Sequence, residues 1–562
     1  MDIVYVTYNS EKWIDTCFSS LSKSTIDLKS LNVWVVDNCS TDRTRELLFV
    51  CKEKYTHAFG GFEIIVSGEN LGFGNANNLG AAKGIDDIIC FFNIDTEVFP
   101  DTLAVLNNEI TDTISDVAIW ELRQLPYEHP KLYNPVTLET SWSSGAAFAI
   151  KRSVFEQIDG FDPYLFMYAE DVDLSWRVRK AGYSIRYTPK ATLFHYSYQS
   201  SGEVKPVQHV NSIVNNLWLR YKFGDVKEII SGNILFWGYF CLKNKFPGQR
   251  KMLWNAYKKM HKNLRYITKE NEKTGDFCPS FFKFDYEIAR DGACYESIRL
   301  QDDCPIVSVL VRTCGRPEVL RETLKSLENQ TYRNFEVVVV EDGANISEDM
   351  VLNDFASLDI RYFFTGKKVG RSRAGNIAMS KAKGKYLNFL DDDDLFFADH
   401  IETLVGALLS SDKKAAYATA FETPIEVLSK TPYQYKVRKY IKRYTQLYDA
   451  QQLCHHNYIP IQCILFEKSL FETYGGLDES FDALEDWDLW VRYSLYTEFE
   501  FINKTTSIYR VPYSKAKKAV RQKHLDEALD KVREKHKSYM RTEAISVYDI
   551  AMDYEKSRVV TK

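Results

Sequence analysis

Residues 386–395 read Y-L-N-F-L-D-D-D-D-L, an apolar run of strand length that ends in four consecutive carboxylates. Like charges this close repel unless something positive sits among them. The plainer reading is a solvated acidic loop that caps a helix expected from Phe396 onward. The alternative is a divalent-cation site at the carboxyl end of a parallel strand, where an open α/β sheet keeps its ligand crevice. Leu387, Phe389 and Leu390 read as a buried strand with little polar relief. The acids therefore emerge from a core, which favours the cation site. A second stretch follows the same plan upstream. Residues 88–97, I-I-C-F-F-N-I-D-T-E, place Asn93 where the later copy has Asp391 and Asp95 where it has Asp393.

Around each acidic strand the chain repeats one order of elements. In the first half a strand at 3–6 runs into T-Y-N-S (7–10), a helix covers 11–21, and a strand at 33–36 ends in D-N-C-S-T-D (37–42). A third strand at 63–66 and a Gly/Asn loop, E-N-L-G-F-G-N-A-N-N (69–78), lead to the strand that ends at Asp95. The second half has a strand at 307–311 followed by R-T-C-G-R (312–316), a helix over 319–327, a strand at 335–340 ending in E-D-G, a strand at 361–364, and the loop G-K-K-V-G-R-S-R-A-G-N (366–376). Both halves continue to an acid pair that opens a helix, Glu170-Asp171 before 172–180 and Glu485-Asp486 before 487–496. Asp37 and Glu341 lie 304 residues apart, Asp95 and Asp393 298, Asp171 and Asp486 315. Offsets so nearly constant mean a duplicated domain, not a short solenoid repeat. Alternating strands and helices predict a doubly wound, Rossmann-like α/β fold in each copy. The expected domains are 1–200 and 305–511, joined by a mainly helical linker at 201–304 with breaks near Gly275-Asp276 and Asp302-Asp303. A charged helical tail, 512–562, either packs on the core or mediates oligomerisation; the oligomeric state stays open.

At 562 residues the chain exceeds what one core holds. Its net charge of −5 offers no dominant basic field, so nucleic acid is not an expected partner. Eleven cysteines without a C-x-x-C pair argue against zinc ribbons and a disulfide framework and fit a reducing cytoplasm. No signal peptide is expected, since Met1 leads almost directly into a strand. The longest apolar segment, I-L-F-W-G-Y-F-C-L at 234–242, is far short of the ~20 residues a membrane span needs. Trp218, Arg220, Tyr221 and Lys222 precede it, and Lys243, Lys245, Arg250, Lys251, Trp254, Lys258, Lys259 and Lys262 follow. That interleaving suits a helix on an anionic membrane surface and equally an interdomain helix with its lysines outward.

Together these motifs resemble family 2 glycosyltransferases, inverting enzymes of the GT-A fold that use nucleotide-diphosphate sugars. The resemblance covers about 1–200 and again 305–511, so the chain looks like two such transferases in tandem. It implies a site for each copy. Asp391 and Asp393 match the family's D-x-D for Mn²⁺ or Mg²⁺, with Asp393 the direct ligand and Asp392 between them in the donor pocket; the ion would act as Lewis acid on the departing diphosphate. The first copy departs to Asn93-x-Asp95, and His195 in L-F-H-Y (193–196) would complete its metal shell; S-I-Y-R (507–510) offers no counterpart. Asp171 and Asp486 match the family's general base, with Glu170 and Glu485 orienting the acceptor. Asp37 and Glu341 would contact the nucleobase, in a pocket lined by Thr7, Asn9 and Thr313. Asn70, Gly72, Gly74, Asn77 and Asn93, and in the second copy Arg371, Arg373 and Asn376, would meet ribose and diphosphate, because glycine permits close backbone approach and arginine pairs with phosphate oxygens.

The resemblance implies a bifunctional enzyme that extends a bacterial cell-surface polysaccharide of O-antigen or capsule type. Y-A-E-D-V-D-L (168–174) followed by A-G-Y (181–183) is similar to rhamnosyl- and galactofuranosyltransferases, so dTDP-L-rhamnose or a UDP-hexose is the expected donor. A polyprenyl-diphosphate-linked acceptor would place the enzyme in the cytoplasm, peripheral on the inner face of the membrane. Two alternatives stay open. Only the second domain is catalytic and the first is a carbohydrate-binding or scaffolding module, or the chain is a nucleotidyltransferase, for which T-Y-N-S lacks a basic, Gly-rich triphosphate loop.

Overall fold

A computed structural model describes residues 1–112, 116–196, 205–270, 277, 279–287, 289–292, 295–300 and 303–537. The boundary expected at 200/201, the breaks at Gly275-Asp276 and Asp302, and tail residues 538–562 lie outside the described residues. The chain divides into two compact units, Met1–Glu296 and Ser297–Lys562.

In the first unit the apolar runs become β1 (Asp2–Thr7), β2 (Asn32–Asp37), β3 (Gly61–Val66), β4 (Ile88–Asn93), β5 (Thr96–Val98), β6 (Val117–Leu125), β7 (Ala147–Lys151) and β8 (Ser184–His195). They form one sheet in the order β3-β2-β1-β4-β7-β6-β8-β5. The first four strands in sequence are parallel neighbours, whereas β7 joins β4 antiparallel. Ile3, Val4, Tyr5, Ile89, Cys90 and Phe91 are buried, as expected of central parallel strands covered on both faces. A short ribbon, β9 (Phe281–Phe282) and β10 (Asp285–Tyr286), follows.

The second unit repeats this sheet with β11 (Val307–Thr313), β12 (Phe335–Glu341), β13 (Ile360–Phe364), β14 (Tyr386–Phe389), β15 (Leu395–Phe396), β16 (Ala415–Lys430), β17 (Tyr433–Val437), β18 (Ile441–Arg443), β19 (Ile464–Glu467) and β20 (Phe499–Pro512). Its order, β13-β12-β11-β14-β19-β16-β20-β15, matches the first sheet strand for strand. Two features depart from the sequence reading. Leu395 and Phe396 do not open a helix; they pair antiparallel with β20, both side chains are buried, and the helix begins at His400. The long β16 also carries β17 and β18 on one side, an addition with no counterpart among the described residues of the first sheet.

The segment expected as a bridge forms three helices, Pro206–Phe223, Val226–Cys241 and Gln249–Glu270, and all belong to the first unit. Their apolar faces need a partner, and Val210, Leu217, Phe236, Leu253 and Met260 find one by sharing a core with Val172 and Trp176 of the acid-pair helix. In the second unit the tail helix Lys515–His536 plays the same part, with Val532 buried beside Trp487 and Trp490.

Candidate active sites

Each acid pair is presented by the same strained turn. Ala169 has φ 70° and Leu484 φ 60°, a left-handed conformation that costs a non-glycine residue about 1–3 kcal/mol and that the surrounding fold must enforce. The turn places Glu170 and Asp171, and Glu485 and Asp486, at a helix N-terminus, where free N–H groups and the dipole favour carboxylates. Asp171 accepts the N–H groups of Val172 and Gly145, both at 2.8 Å. Asp486 accepts the Trp487 N–H at 2.8 Å and the Asn457 amide at 3.1 Å. Burial, and then Asp171, push Glu170 well above the ordinary carboxylate range. Burial, and then Glu485, push Asp486 up to about 7. One turn further on, the two units share an anchor. Lys222 reaches Asp173 at 2.8 Å and Asp162 at 2.7 Å, and Lys535 reaches Asp488 and Asp478, both at 2.7 Å.

At the second unit's acidic strand end, the positive charge comes from the chain itself. Arg312, the penultimate residue of β11, donates from Nε and Nη2 to Asp391 at 2.7 and 2.8 Å and from Nη1 to Glu485 at 3.0 Å. Arg316 pairs with Asp392 and, at 3.1 Å, with Asp393. The Thr313 hydroxyl donates to Asp392 at 2.7 Å, and the Arg510 N–H to Asp394 at 2.9 Å. Burial alone would raise Asp391, but the Arg312 guanidinium outweighs it and holds the carboxyl below its ordinary range. Asp392 is pushed up to about 7, chiefly by burial. Asp393 alone of the four keeps a substantially exposed side chain, at 42%. The expected D-x-D pair is therefore split, with Asp391 enclosed against Arg312 and Asp393 more exposed beside Arg316.

The first unit solves the same place differently. Val6 and Ser10 stand at the positions of Arg312 and Arg316. Pairing of Thr96 with His195 brings β5 and β8 together, and His195 Nε2 lies 3.5 Å from Asp95 Oδ1 and 3.5 Å from the Asn93 amide. The other ring nitrogen, Nδ1, is 2.8 Å from Gln124 Oε1. An amide oxygen only accepts, so Nδ1 carries a proton and Nε2 is turned toward Asp95. Burial works to raise Asp95, but contact with His195 holds it below its ordinary range. A carboxylate oxygen and an oriented imidazole nitrogen are donor types that a divalent first-row ion accepts. Strand pairing sets His195 opposite Thr96 and Ile508 opposite Leu395, which puts Tyr509 at the place His195 occupies. Among the described residues, no three or more His, Cys, Asp or Glu side chains are grouped to hold a metal. The structure thus joins Asp95 to His195 as a pair only.

The expected nucleotide pocket divides into residues that face the site and residues that hold the fold. Thr7 lies opposite Asp37, and Thr313 opposite Glu341, in the strand registers. Asp37 binds Arg45 Nε at 2.5 Å and the Thr7 hydroxyl at 3.4 Å. Glu341 accepts the N–H groups of Gly315, Ile346 and Ser347 at 3.0–3.1 Å together with the Tyr362 hydroxyl. That fills its oxygens and makes it a turn-holding acid. Asn9 accepts the Thr41 N–H at 2.8 Å, and Asn70 the Gly72 N–H at 3.0 Å. Gly72 has φ 81°, and a Cβ there would come within 2.4 Å of the Phe166 carbonyl; one at Gly74 would come within 2.9 Å of Phe161. Both glycines let their own chain approach closely. Asn77 is buried and bonds within its helix, while Asn376 pins Leu477 by both backbone groups. Arg371 and Arg373 are exposed at the helix start, with Arg371 4.0 Å from Glu485.

Several contributors were not singled out from sequence: Arg312, Arg316 and Gln124, and the loop anchors Asn38 and Asp342, which accept the N–H groups of Leu71 and of Val369 and Gly370. The two arginines had a signal, because R-T-C-G-R ends the strand beside the four acids. Gln124 meets a histidine 71 residues away and had none.

Two doubly wound sheets with an acid-led helix over the carboxyl ends of their central strands define a pair of GT-A domains in tandem. The model of Glycosyl transferase family 2 matches residues 2–174 and again 308–475, more than half of the chain, and the chain belongs to that family. It is 27% identical over 256 residues to the N-acetylglucosaminyl-diphospho-decaprenol L-rhamnosyltransferase of Mycobacterium tuberculosis, covering 37% of this chain and 80% of that one. It is 26% identical over 220 residues to the glycosyltransferase GlyA of Streptococcus pneumoniae serotype 4, covering 36% of this chain and 30% of that one. Among solved structures, S. aureus TarS 1–349 in complex with UDP-GlcNAc is similar over 51% of this chain and 95% of that one, with 17% identity and a TM-score of 0.32.

Proposed function

We propose that the chain is a bifunctional inverting glycosyltransferase, each unit adding one sugar from a nucleotide-diphosphate donor to a growing bacterial cell-surface polysaccharide. The observation that carries this reading is the acid pair on its strained turn, built alike in both units, with Glu170 and Glu485 buried and Asp171 and Asp486 half-buried. Asp171 and Asp486 take the proton of the acceptor hydroxyl; its oxygen bonds to the anomeric carbon from the face opposite the leaving group, and the bond to the diphosphate oxygen breaks. In the second unit Arg371 and Arg373, with Arg312 and Arg316 behind them, offset the charge on the departing nucleoside diphosphate.

In the first unit Asp95 and His195, with Asn93 beside them, fit a divalent Mn²⁺ or Mg²⁺, which when bound would act as a Lewis acid on the diphosphate. In the second unit Asp393, the most exposed of the four acids though paired with Arg316, is the carboxylate such an ion would reach.

A small polar cavity of about 10 Å³ in the first unit has room for about one water. It is lined by Glu121, Gln124, His129, Lys131, Tyr187 and Arg290 among others. Lys131 pairs with one oxygen of Glu121, and the other oxygen is buried with no hydrogen-bond partner. Burial pushes Lys131 down to about 7, with Asp171 close enough to oppose the shift. The mycobacterial relative's name, an L-rhamnosyltransferase acting on N-acetylglucosaminyl-diphospho-decaprenol, supports dTDP-L-rhamnose as one donor and a polyprenyl-diphosphate-linked acceptor, met at the cytoplasmic face of a membrane.

The test is donor turnover by the purified chain and by Asp171→Ala and Asp486→Ala, with a panel of nucleotide sugars and a lipid-linked or synthetic acceptor. Each substitution is expected to lower one linkage by about 10²–10⁴-fold and spare the other, with release of a nucleoside diphosphate. An Asp171→Ala protein that forms every linkage would make the first unit a binding module, and release of pyrophosphate would mean nucleotidyl transfer.

A further inference from the structure

From residue 229 to 269 the chain carries nine Lys and Arg and no Asp or Glu, within a molecule of net charge −5. The structure folds this stretch into most of the helix Val226–Cys241 and nearly all of the helix Gln249–Glu270. On the first of these, Val226, Ile230, Ile234 and Trp237 are 70, 55, 67 and 41% exposed. Steps of four, four and three residues put them on one face, and Leu242, 59% exposed, extends the line. Scattered exposed apolar side chains are ordinary, but a continuous helical stripe is a surface for something.

The second helix supplies a different edge. Its Trp254 lies 6.2 Å from Trp237 between ring centroids, and Tyr257 packs against both at 5.5 and 5.9 Å. Lys251, Lys258, Lys259, Lys262 and Arg265 are exposed along it. An apolar stripe, an aromatic seam and a basic margin on one surface are the three parts of an interfacial contact. The stripe enters the acyl boundary, Trp sits at headgroup level, and lysines reach the phosphates.

We propose that this face docks on the surface of an anionic lipid bilayer. Charge selects that occupant: a second copy of the chain would set lysines against lysines. No described helix is long and apolar enough to cross a membrane, so the contact lies in the plane of the surface. Phe236, Leu253 and Met260, on the inner sides of these helices, share a core with Val172 and Trp176. The docked surface is thereby packed through to the helix that carries Asp171. The inference deepens the membrane-side acceptor proposed above but does not depend on which sugar is transferred.

The full chain is sedimented with phosphatidylcholine vesicles made with and without phosphatidylglycerol. Binding is expected to be roughly tenfold or more stronger with phosphatidylglycerol and to weaken as salt shortens the screening length. The double substitution Ile230→Glu and Ile234→Glu should reduce it by roughly tenfold or more, and Lys251→Glu with Lys258→Glu should erase the preference for the anionic lipid. All four positions are exposed, and transfer to a short water-soluble acceptor checks that the sites are intact. Failure to bind phosphatidylglycerol vesicles, or binding unchanged by the Ile substitutions, overturns the proposal while leaving the transfer reaction standing. So does a solution dimer that Ile230→Glu and Ile234→Glu split, since a second copy would then cover the stripe.

Discussion

The two units carry the same sheet, the same strained turn and the same lysine anchor, yet they settle charge at the strand end in opposite ways. The second unit places four acids there and brings Arg312 and Arg316 in to meet them. The first keeps one acid, Asp95, puts Val6 and Ser10 where the arginines would be, and turns His195 toward the carboxylate with Gln124 behind it. A scaffold that fixes where a ligand's diphosphate must lie leaves open how its charge is met. One copy has a fixed guanidinium lattice; the other has a carboxylate and an imidazole nitrogen facing across 3.5 Å.

The comparison breaks most visibly at Arg312. It is buried between Asp391 and Glu485, which are themselves largely enclosed. Arg312→Met would strand two carboxylates, and losing one partner of a buried ion pair costs about 3–5 kcal/mol. A urea titration that follows each unit should show the second unit's midpoint fall and the first unit's hold. An unchanged midpoint would mean that water reaches these acids.

The shared lysine anchor separates the units next. Lys222 is 6% exposed and joins two buried aspartates, whereas Lys535 is 35% exposed. Lys222→Met should destabilise the first unit by about 2–3 kcal/mol, because Asp173 keeps only Arg177. Lys535→Met should cost under about 1 kcal/mol, since solvent screens the pair and His536 and Arg492 still reach Asp488. Equal losses in the two thermal transitions would refute the distinction. Gln124→Leu sharpens the proposed metal difference. Freed from its partner, the His195 ring loses its fixed tautomer, and Mn²⁺ affinity measured by titration should fall about 10–100-fold in the first unit.

How legible this was from sequence depended on range. The duplicated doubly wound order, the acid pairs and the end of each central strand follow from local alternation of apolar runs and acids, and they appear where the pattern put them. Phe396 misled because two residues after an acidic turn look like a helix start, and only β20, more than a hundred residues on, makes them a strand. Gly72, Gly74 and Asn376 read as ligand contacts because turns and binding loops use the same residue types; the contacts they make within the fold, with Phe166, Phe161 and Leu477, are distant in the chain and carried no local signal. The helices from 206 to 270 read as a bridge because their apolar faces do not say which core will cover them.

The last comparison tests whether the second unit's base works as its surroundings imply. Asp486 is pushed up to about 7 by burial and by Glu485, so below that pH its ionised, proton-accepting form falls about tenfold per pH unit. The linkage formed by the second unit should therefore climb with pH through about 7 and level off above it. Stability must run the other way. A carboxyl whose folded pKa is raised binds its proton more tightly in the folded state, so its contribution is complete below the ordinary carboxylate pKa near 4 and is lost as pH rises through 7. Asp392, also raised to about 7, adds a slope of the same sign, so the informative quantity is the difference between wild type and Asp486→Asn. That substitution should flatten the second unit's decline in urea midpoint between about pH 4 and 7, by up to about 1.4 kcal/mol per pH unit, while abolishing its linkage. A rate that rises with pH and a stability that falls by the same titration would tie both to one buried carboxyl. A rate limb that stays near 7 in Arg312→Lys but shifts in Asn457→Ala would place its control on the amide rather than on the neighbouring acid.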